Sequence, residues 1–409
     1  MVAAVVYASG LILCIFCAVF LGHPDAHTLS GWARDLLDCI FSGRFSEFPE
    51  YTYELRDNAT NYSFLANCIM AVLMLPIYAV DEGLSLALDI YYYVFFEKLV
   101  ILAVTLIDVR IFGNILKDMG YERTNRLYAK GLFMCSAIVC AATVAKGQID
   151  AIVLLFLLIA AREYQRRSFG LMALMLGISL VIKPFSVLVA APVLLLLMGE
   201  LGVFGVIVPG VFAALPFITD RLLTRILWPR YFEVRVHTDD ATRILFGQTR
   251  AEGLFSQSLG NVSLFLAVVL IVCFICLYKG VNKKVKKDDI LIYPAILYLA
   301  LAAFVSATVY WYIAVLPVWI ILGLRMKSRF CLPMLLFGNS AGALVPLLLN
   351  ENAYHVSFFY NLPGRLLGAP IPVQLYTGIY REIMVKGGVT LFIVTMFLML
   401  LLYKWEDRL

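Results

Sequence analysis

Charge is what this chain has least of. Only 15% of its 409 residues are charged and 62% are hydrophobic. Ordinary soluble domains are about 25% charged and about 45–50% apolar. No polar stretch is long enough to cover so apolar a core, which excludes a soluble globular protein. Histidine is scarce as well, with four residues. Seven of the nine cysteines (Cys14, Cys17, Cys68, Cys135, Cys140, Cys273 and Cys276) fall inside apolar runs, where they behave as small hydrophobes. Cys39 alone sits in a long polar loop, so a disulfide framework is not expected. Low-complexity tracts are missing, and so is any soluble α/β segment that would hold a nucleotide.

What is present is a succession of apolar runs near the length of about 20 residues that a helix needs to cross lipid. They fall near 2–21, 62–80, 97–116, 131–146, 149–161, 169–183, 184–199, 201–219, 260–278, 290–308, 309–324, 330–349 and 387–403. The expected fold is an all-α membrane protein, a single polytopic transmembrane domain over 1–409 with about 11–13 spans. The first run is too long for a signal-peptide core and lacks a basic start, so it reads as a retained first helix. Several runs are short or interrupted by Pro or Gly, as in spans that line cavities.

Lys and Arg set the orientation. Residues 279–289 carry five Lys against two Asp, 325–329 carry Arg325, Lys327 and Arg329, and 162–167 carry three Arg against one Glu. Such loops belong in the cytoplasm. The net charge of +5 is therefore explained by topology, and no nucleic-acid partner is expected. Three long polar segments, 22–61, 220–259 and 350–386, then lie on the other side. One parity problem remains. The basic segment 110–130 also reads as cytoplasmic, and if 62–80 spans, a further crossing or re-entrant piece must lie within 81–109, with Tyr91–Phe96 as its candidate.

Four polar constellations border the outer side. In the first loop, His23-Pro24-Asp25-Ala26-His27-Thr28 leads into an amphipathic helix over Leu29–Phe45. Trp32, Leu36, Leu37, Ile40 and Phe41 share its apolar face, and Thr28 or Ser30 is the expected N-cap. An Asp at a membrane surface suits a general base, because burial raises its pKa toward the working pH. Asp25 with His23 or His27 is also of the right ligand type for a divalent metal, although the spacing closes no site. Lys146-Gly147-Gln148-Ile149-Asp150 joins two short spans. Lys183, followed by Pro184, lies deep in apolar sequence, where a charge costs at least ~2.5 kcal/mol, and its natural partner is an anion such as phosphate. The loop 220–259 holds six Arg and no Lys, including Arg230 and Arg235, with His237 nearby. Tyr310-Trp311-Tyr312 stands at an outer helix end.

This order of features resembles the GT-C superfamily of integral membrane glycosyltransferases, in its polyprenyl-phosphate-sugar-dependent mannosyl- and hexosyltransferase branch. One helix comes first, then an outer loop with the early Asp25 and an interface helix. Gly147-Gln148-Ile149-Asp150 follows, then Lys183-Pro184-Phe185 and Tyr310-Trp311-Tyr312 with Pro317. The resemblance runs through residue 325 or so and implies a GT-C-like module over 1–219 followed by a variable module over 220–409. It implies inverting sugar transfer from a polyprenyl-phosphate donor to a glycan or glycolipid acceptor, on the outer face of a bacterial plasma membrane, with no cofactor. Asp25 would be the base, with Asp35 and Asp38 as alternatives, since the Asp-Glu pair of some relatives is missing. Lys183 would hold the donor phosphate. Gln148, Asp150, His27, Arg230, Arg235, His237, Tyr310 and Tyr312 would complete the site around donor, acceptor and membrane lipids. A transporter or flippase, or a polymerase or ligase of lipid-linked glycans, is the competing reading.

Overall fold

A computed structural model describes residues 1–21, 23–56, 60, 62–231, 263–305, 309–326, 334–342, 356–358, 371–373 and 380–406. The chain is an all-α polytopic membrane protein. Seven helices among the described residues are long and apolar enough to cross a bilayer, or eight if one bent pair is counted as a span. Three further apolar helices are shorter. Two three-residue strands, β1 (Val356–Phe358) and β2 (Ile371–Val373), pair antiparallel within the third polar segment.

The order begins with α1 (Val2–Phe20), α2 (Pro24–Phe41), α3 (Phe48–Arg56), α4 (Phe64–Gly83) and α5 (Ile90–Asp118). Next come α6 (Arg123–Cys135) and α7 (Ala137–Val139), the latter running into a π-helical turn over Cys140–Ala145. Then follow α8 (Asp150–Gln165), α9 (Phe169–Ile182), α10 (Val187–Gly205) and α11 (Ile207–Leu227). After the loop come α12 (Leu264–Val281), α13 (Asp289–Phe304), α14 (Leu316–Arg325), a helical segment at 334–342 and α15 (Tyr380–Glu406). The expected run 131–146 is thus broken at Ser136, with its two halves bent by 49°. The expected run 309–324 is a 3-10 turn, Val309–Ala314, followed by the short α14. Of 330–349 only 334–342 is described.

Small residues let these helices touch. A Cβ on Gly131 of α6 would come within 2.7 Å of the Tyr7 backbone nitrogen on α1. Such close approach is how helices bind one another where lipid supplies no hydrophobic drive. Cys14 Sγ lies 3.5 Å from the Met134 carbonyl in the same seam. α1 and α6 run parallel, since Gly131 meets Tyr7 and, further along both helices, Met134 meets Gly10.

The bundle has two chemically distinct ends. One collects the basic turns: Lys279 pairs with Asp289 at 2.8 Å, Arg325 with Asp288, and Arg166 with Glu163 at 3.0 Å. The other end is capped by α2, α3 and α4. Trp228, fully buried after α11, donates from Nε1 to the Phe45 carbonyl at 2.9 Å, and Asp220 accepts from the Leu65 backbone N–H at 2.8 Å. The Asp220 bond fastens the start of α4 to α11, and Trp228, whose ring also meets Phe64 at 4.7 Å, joins the end of α11 to the cap. The far end of α4 is fastened to α2 and α5: the Tyr78 hydroxyl donates to Asp38 of α2 at 2.9 Å, and Asp81 accepts from Tyr93 of α5 at 2.7 Å. α5 starts at the same end, because Lys98 reaches the Leu21 carbonyl just beyond α1 and the Cys17 carbonyl at 3.2 Å. The expected start of that helix at residue 97 therefore moves back to Ile90, which absorbs the Tyr91–Phe96 run.

Candidate functional site

The capping helix is built differently from the sequence expectation. α2 begins at Pro24, five residues before Leu29. Its N-cap is His23, not Thr28 or Ser30: the imidazole Nδ1 accepts the Asp25 backbone N–H at 3.0 Å. Proline suits the first helical position because its absent N–H would be unpaired there anyway. Asp25 consequently sits in the first turn, where the helix dipole favours a carboxylate. Ser30 donates instead to the fully buried Glu97. Trp32, Leu36 and Leu37 are buried as the apolar face requires, whereas Ile40 and Phe41 stay exposed, Phe41 stacking on Tyr78 with ring centroids 5.4 Å apart.

The turn Lys146-Gly147-Gln148 lies directly under this first turn. The π-helical stretch widens the chain before it, with the Gln148 N–H bonded to the Thr143 carbonyl at 2.9 Å. Such π segments cluster at functional sites. Gly147 is left-handed, with φ +63°, and a Cβ there would meet Ala26 Cβ at 3.2 Å. Gln148 Nε2 donates to Asp25 Oδ2 at 3.1 Å, and Lys146 Nζ stands 3.7 Å from the same oxygen. Both Lys146 and Gln148 are buried, while the Asp25 side chain keeps 39% of its surface exposed.

The second lysine arrives from α9. A residue before proline is pushed out of the α region. Lys183 accordingly ends the helix in an extended conformation, with φ −141° and ψ 116°. Its Nζ donates to the Tyr62 hydroxyl at 3.0 Å and lies 3.6 Å from Asp150 Oδ2. The ring of Tyr310 faces both ammonium groups, 5.0 Å from Lys146 and 5.6 Å from Lys183. Asp25, Lys146, Gln148, Asp150, Lys183, Tyr62 and Tyr310 thus form one connected cluster.

The electrostatics of Asp25 reverse the expected shift. Burial pushes its pKa up, but the His23 imidazole and the charges of Lys146 and Lys183 outweigh burial and hold it below the ordinary carboxylate value. Burial pushes the Tyr62 phenol far up, with Asp150, Asp25 and Glu97 adding to the effect. His27 is pushed down to about 4, chiefly by burial, so its imidazole is neutral at pH 7.

Other expected residues lie elsewhere. Asp35 is tied to Arg56 by two bonds of 2.5 and 2.8 Å, and Asp38 accepts from Tyr78. Neither alternative base joins the lysine cluster. His27 turns its ring to Tyr91, with centroids 5.0 Å apart, rather than to Asp25. No group of three or more His, Cys, Asp or Glu stands together as a metal set among the described residues. Arg230 pairs at 3.7 Å with Glu50 on the exposed surface. Arg235 and His237 lie outside the described residues. Tyr312 packs its ring on Phe392 at 5.2 Å, and Trp311 stacks on Phe185 at 3.7 Å. Sequence reasoning missed Tyr62, for which no signal existed, and the Glu97-Lys98 pair, whose signal was two charges entering an apolar run.

No protein-family model matches this sequence, and a search of the curated proteins finds no match.

Proposed function

We propose that this chain is a membrane glycosyltransferase that moves a sugar from a polyprenyl-phosphate-linked donor to a hydroxyl of a glycan or glycolipid acceptor, with inversion. The observation that carries the reading is an ionised, partly exposed Asp25 held against two lysines, Lys146 at 3.7 Å and Lys183 close enough to depress its pKa. The acceptor O–H gives its proton to Asp25, and its oxygen attacks the anomeric carbon. The bond from that carbon to the phosphate oxygen breaks, and the electron pair leaves on the phosphate. A leaving group that is already a phosphate anion needs positive charge, which Lys183 and Lys146 supply. Donor phosphate arriving at the lysines competes with Asp25 and Asp150 for them. Asp25 loses part of the field that keeps it weakly basic and becomes a better base once the donor is bound.

The basic end of the bundle is assigned to the cytoplasm and the Asp25 end to the outer face of a bacterial plasma membrane. In this arrangement α4 lies flat on the outer face, because its start bonds to α11 next to the cap and its far end bonds to α2, although its length and composition would let it span. The parity problem then dissolves. α1 runs outward, α5 returns, and residues 110–130 fall in the cytoplasm with the other basic turns.

The test is transfer by purified protein in nanodiscs, with radiolabelled polyprenyl-phosphate hexoses and pentoses and a crude lipid and glycan acceptor extract. Transfer by wild type but not by Asp25→Asn, with donor still bound, supports the reading. No binding or transfer with any lipid-linked donor overturns it.

A transporter is the second reading, and one observation favours it. Asp108 of α5 is fully buried, and neither carboxylate oxygen has a hydrogen-bond partner among the described residues. It shares α5 with Glu97 and Thr105, also fully buried. Intramembrane acids of this kind mark proton or substrate paths. Substrate uptake driven by a pH gradient in proteoliposomes, abolished by Asp108→Asn, would select this reading over transfer.

A further inference from the structure

A cavity opens on the cap between α2, α3 and the start of α5. It measures about 470 Å³ and is lined by His27, Thr28, Trp32, Arg34, Leu55 and Arg56, with Ile90 at its edge. That volume lies within the roughly 300–1,000 Å³ of small-molecule sites. Arg56 of this lining packs directly on Gly31, where a Cβ would strike its guanidinium at 2.6 Å.

The two arginines do not make this an anion site. Arg56 gives two of its five N–H groups to Asp35, in a bidentate pair that holds its pKa up. Arg34 lies 3.8 Å from Asp81, donates to the Leu88 carbonyl at 3.4 Å and sits over the Tyr93 ring at 4.9 Å. Each guanidinium is thus matched by a buried carboxylate, and an anionic ligand would approach two negative charges along with the two positive ones. What the cleft offers is neutral on balance. It presents the arginines' other N–H groups, and Thr28 and His27 line it between the apolar walls of Trp32 and Leu55. Hydroxyls that both donate and accept, on a ring with apolar C–H faces, fit such a lining.

The cleft is joined to the reacting groups on two sides. Thr28 lies one helical turn beyond Asp25 on α2. Trp32 meets Tyr62 edge-on at 5.9 Å, and the Tyr62 hydroxyl takes the Lys183 bond. We infer that this cleft is the acceptor site, and that the acceptor it takes is a neutral, hydroxyl-rich saccharide rather than a uronate, a phosphorylated glycan or a peptide. The inference rests on the glycosyltransferase reading for its role, and on the cleft alone for its ligand chemistry.

The experiment titrates purified wild type, Thr28→Val and Leu55→Trp in nanodiscs with neutral oligosaccharides and with uronate-containing oligosaccharides. Acceptor KM in the transfer assay is measured in parallel. Leu55 is exposed, so a tryptophan there fills the cleft without entering the core. Donor affinity without acceptor checks that each variant is folded. The expected result is saturable binding of the neutral sugars, weakened about tenfold in both variants, with acceptor KM raised to match and weak binding of the uronates. Tighter binding of the uronates, or an acceptor KM indifferent to both substitutions, overturns the assignment while leaving the enzyme reading intact. Saturable, Leu55-dependent binding of neutral sugars without transfer from any lipid-linked donor would sink the enzyme reading and keep the cleft as a saccharide site.

Discussion

Gln148 donates from Nε2 to Asp25 Oδ2 over 3.1 Å, across 123 positions of sequence. This bond ties the first turn of the capping helix to the turn between α7 and α8. It gives Asp25 a fixed orientation that a loop carboxylate would lack.

Asp25→Asn keeps the shape and removes the proposed base. Transfer is expected to fall by about 10²–10⁴, the usual contribution of a positioned acid or base. Donor affinity should persist, measured by direct binding of the radiolabelled donor. Asp35→Asn should instead lower thermal stability by leaving Arg56 without its carboxylate, with the fall in transfer limited to the loss of folded protein.

Lys183→Met strands Asp150, whose oxygen lies 3.6 Å from the ammonium in a buried setting. Removing one partner of such a pair costs about 3–5 kcal/mol. The double variant Lys183→Met with Asp150→Asn should regain most of that stability in thermal melts. It should not regain donor affinity, because the phosphate has still lost its cation. Recovery of both would show that Lys183 serves Asp150 alone.

Gly147→Ala should disable transfer without touching a reacting group. The residue sits at φ +63°, where a side chain costs roughly 1–2 kcal/mol, and the new methyl meets Ala26 Cβ at 3.2 Å. The turn must shift, carrying Lys146 and Gln148 away from Asp25. A crystal or cryo-EM structure of the variant, beside its kinetics, checks this.

His27 supplies a pH dependence of stability. Its folded pKa of about 4 lies below the ordinary imidazole value of 6.5, so between those values the unfolded chain binds the extra proton. Stability is therefore expected to fall as pH drops from 6.5 toward 4. Melting curves of His27→Gln across that window should be flatter than those of wild type. Asp25 is held below the ordinary carboxylate value, so the pH profile of transfer should show no acid limb from this group above that value.

The flat placement of α4 is open to labelling. Ser85, just past its end, and Lys117, at the end of α5, fall on opposite sides of the membrane if α4 does not span. A membrane-impermeant maleimide applied to intact cells should modify Ser85→Cys and spare Lys117→Cys, in a background without other accessible cysteines. If α4 spans, Ser85→Cys is the one spared.

The sequence by itself determined that this chain is helical and crosses lipid, because burial of apolar surface in a bilayer depends on run length and composition, which are local. It also singled out Asp25, Gln148, Asp150, Lys183 and Tyr310, since a polar residue beside long apolar runs stands out wherever it folds. Tertiary structure decided the rest. That Asp35 belongs to Arg56 and Asp38 to Tyr78, so that of these three acids Asp25 is the one beside the lysines, follows from how α2 is rolled against α3 and α4. Tyr62 reaches Lys183 only because α4 starts beside the break at Pro184. The sign of the Asp25 pKa shift was only partly within reach: burial pushes it up, the neighbouring His23 pulls it down, and the two further cations that pull it down, Lys146 and Lys183, stand 121 and 158 positions away and are brought beside it by helix packing.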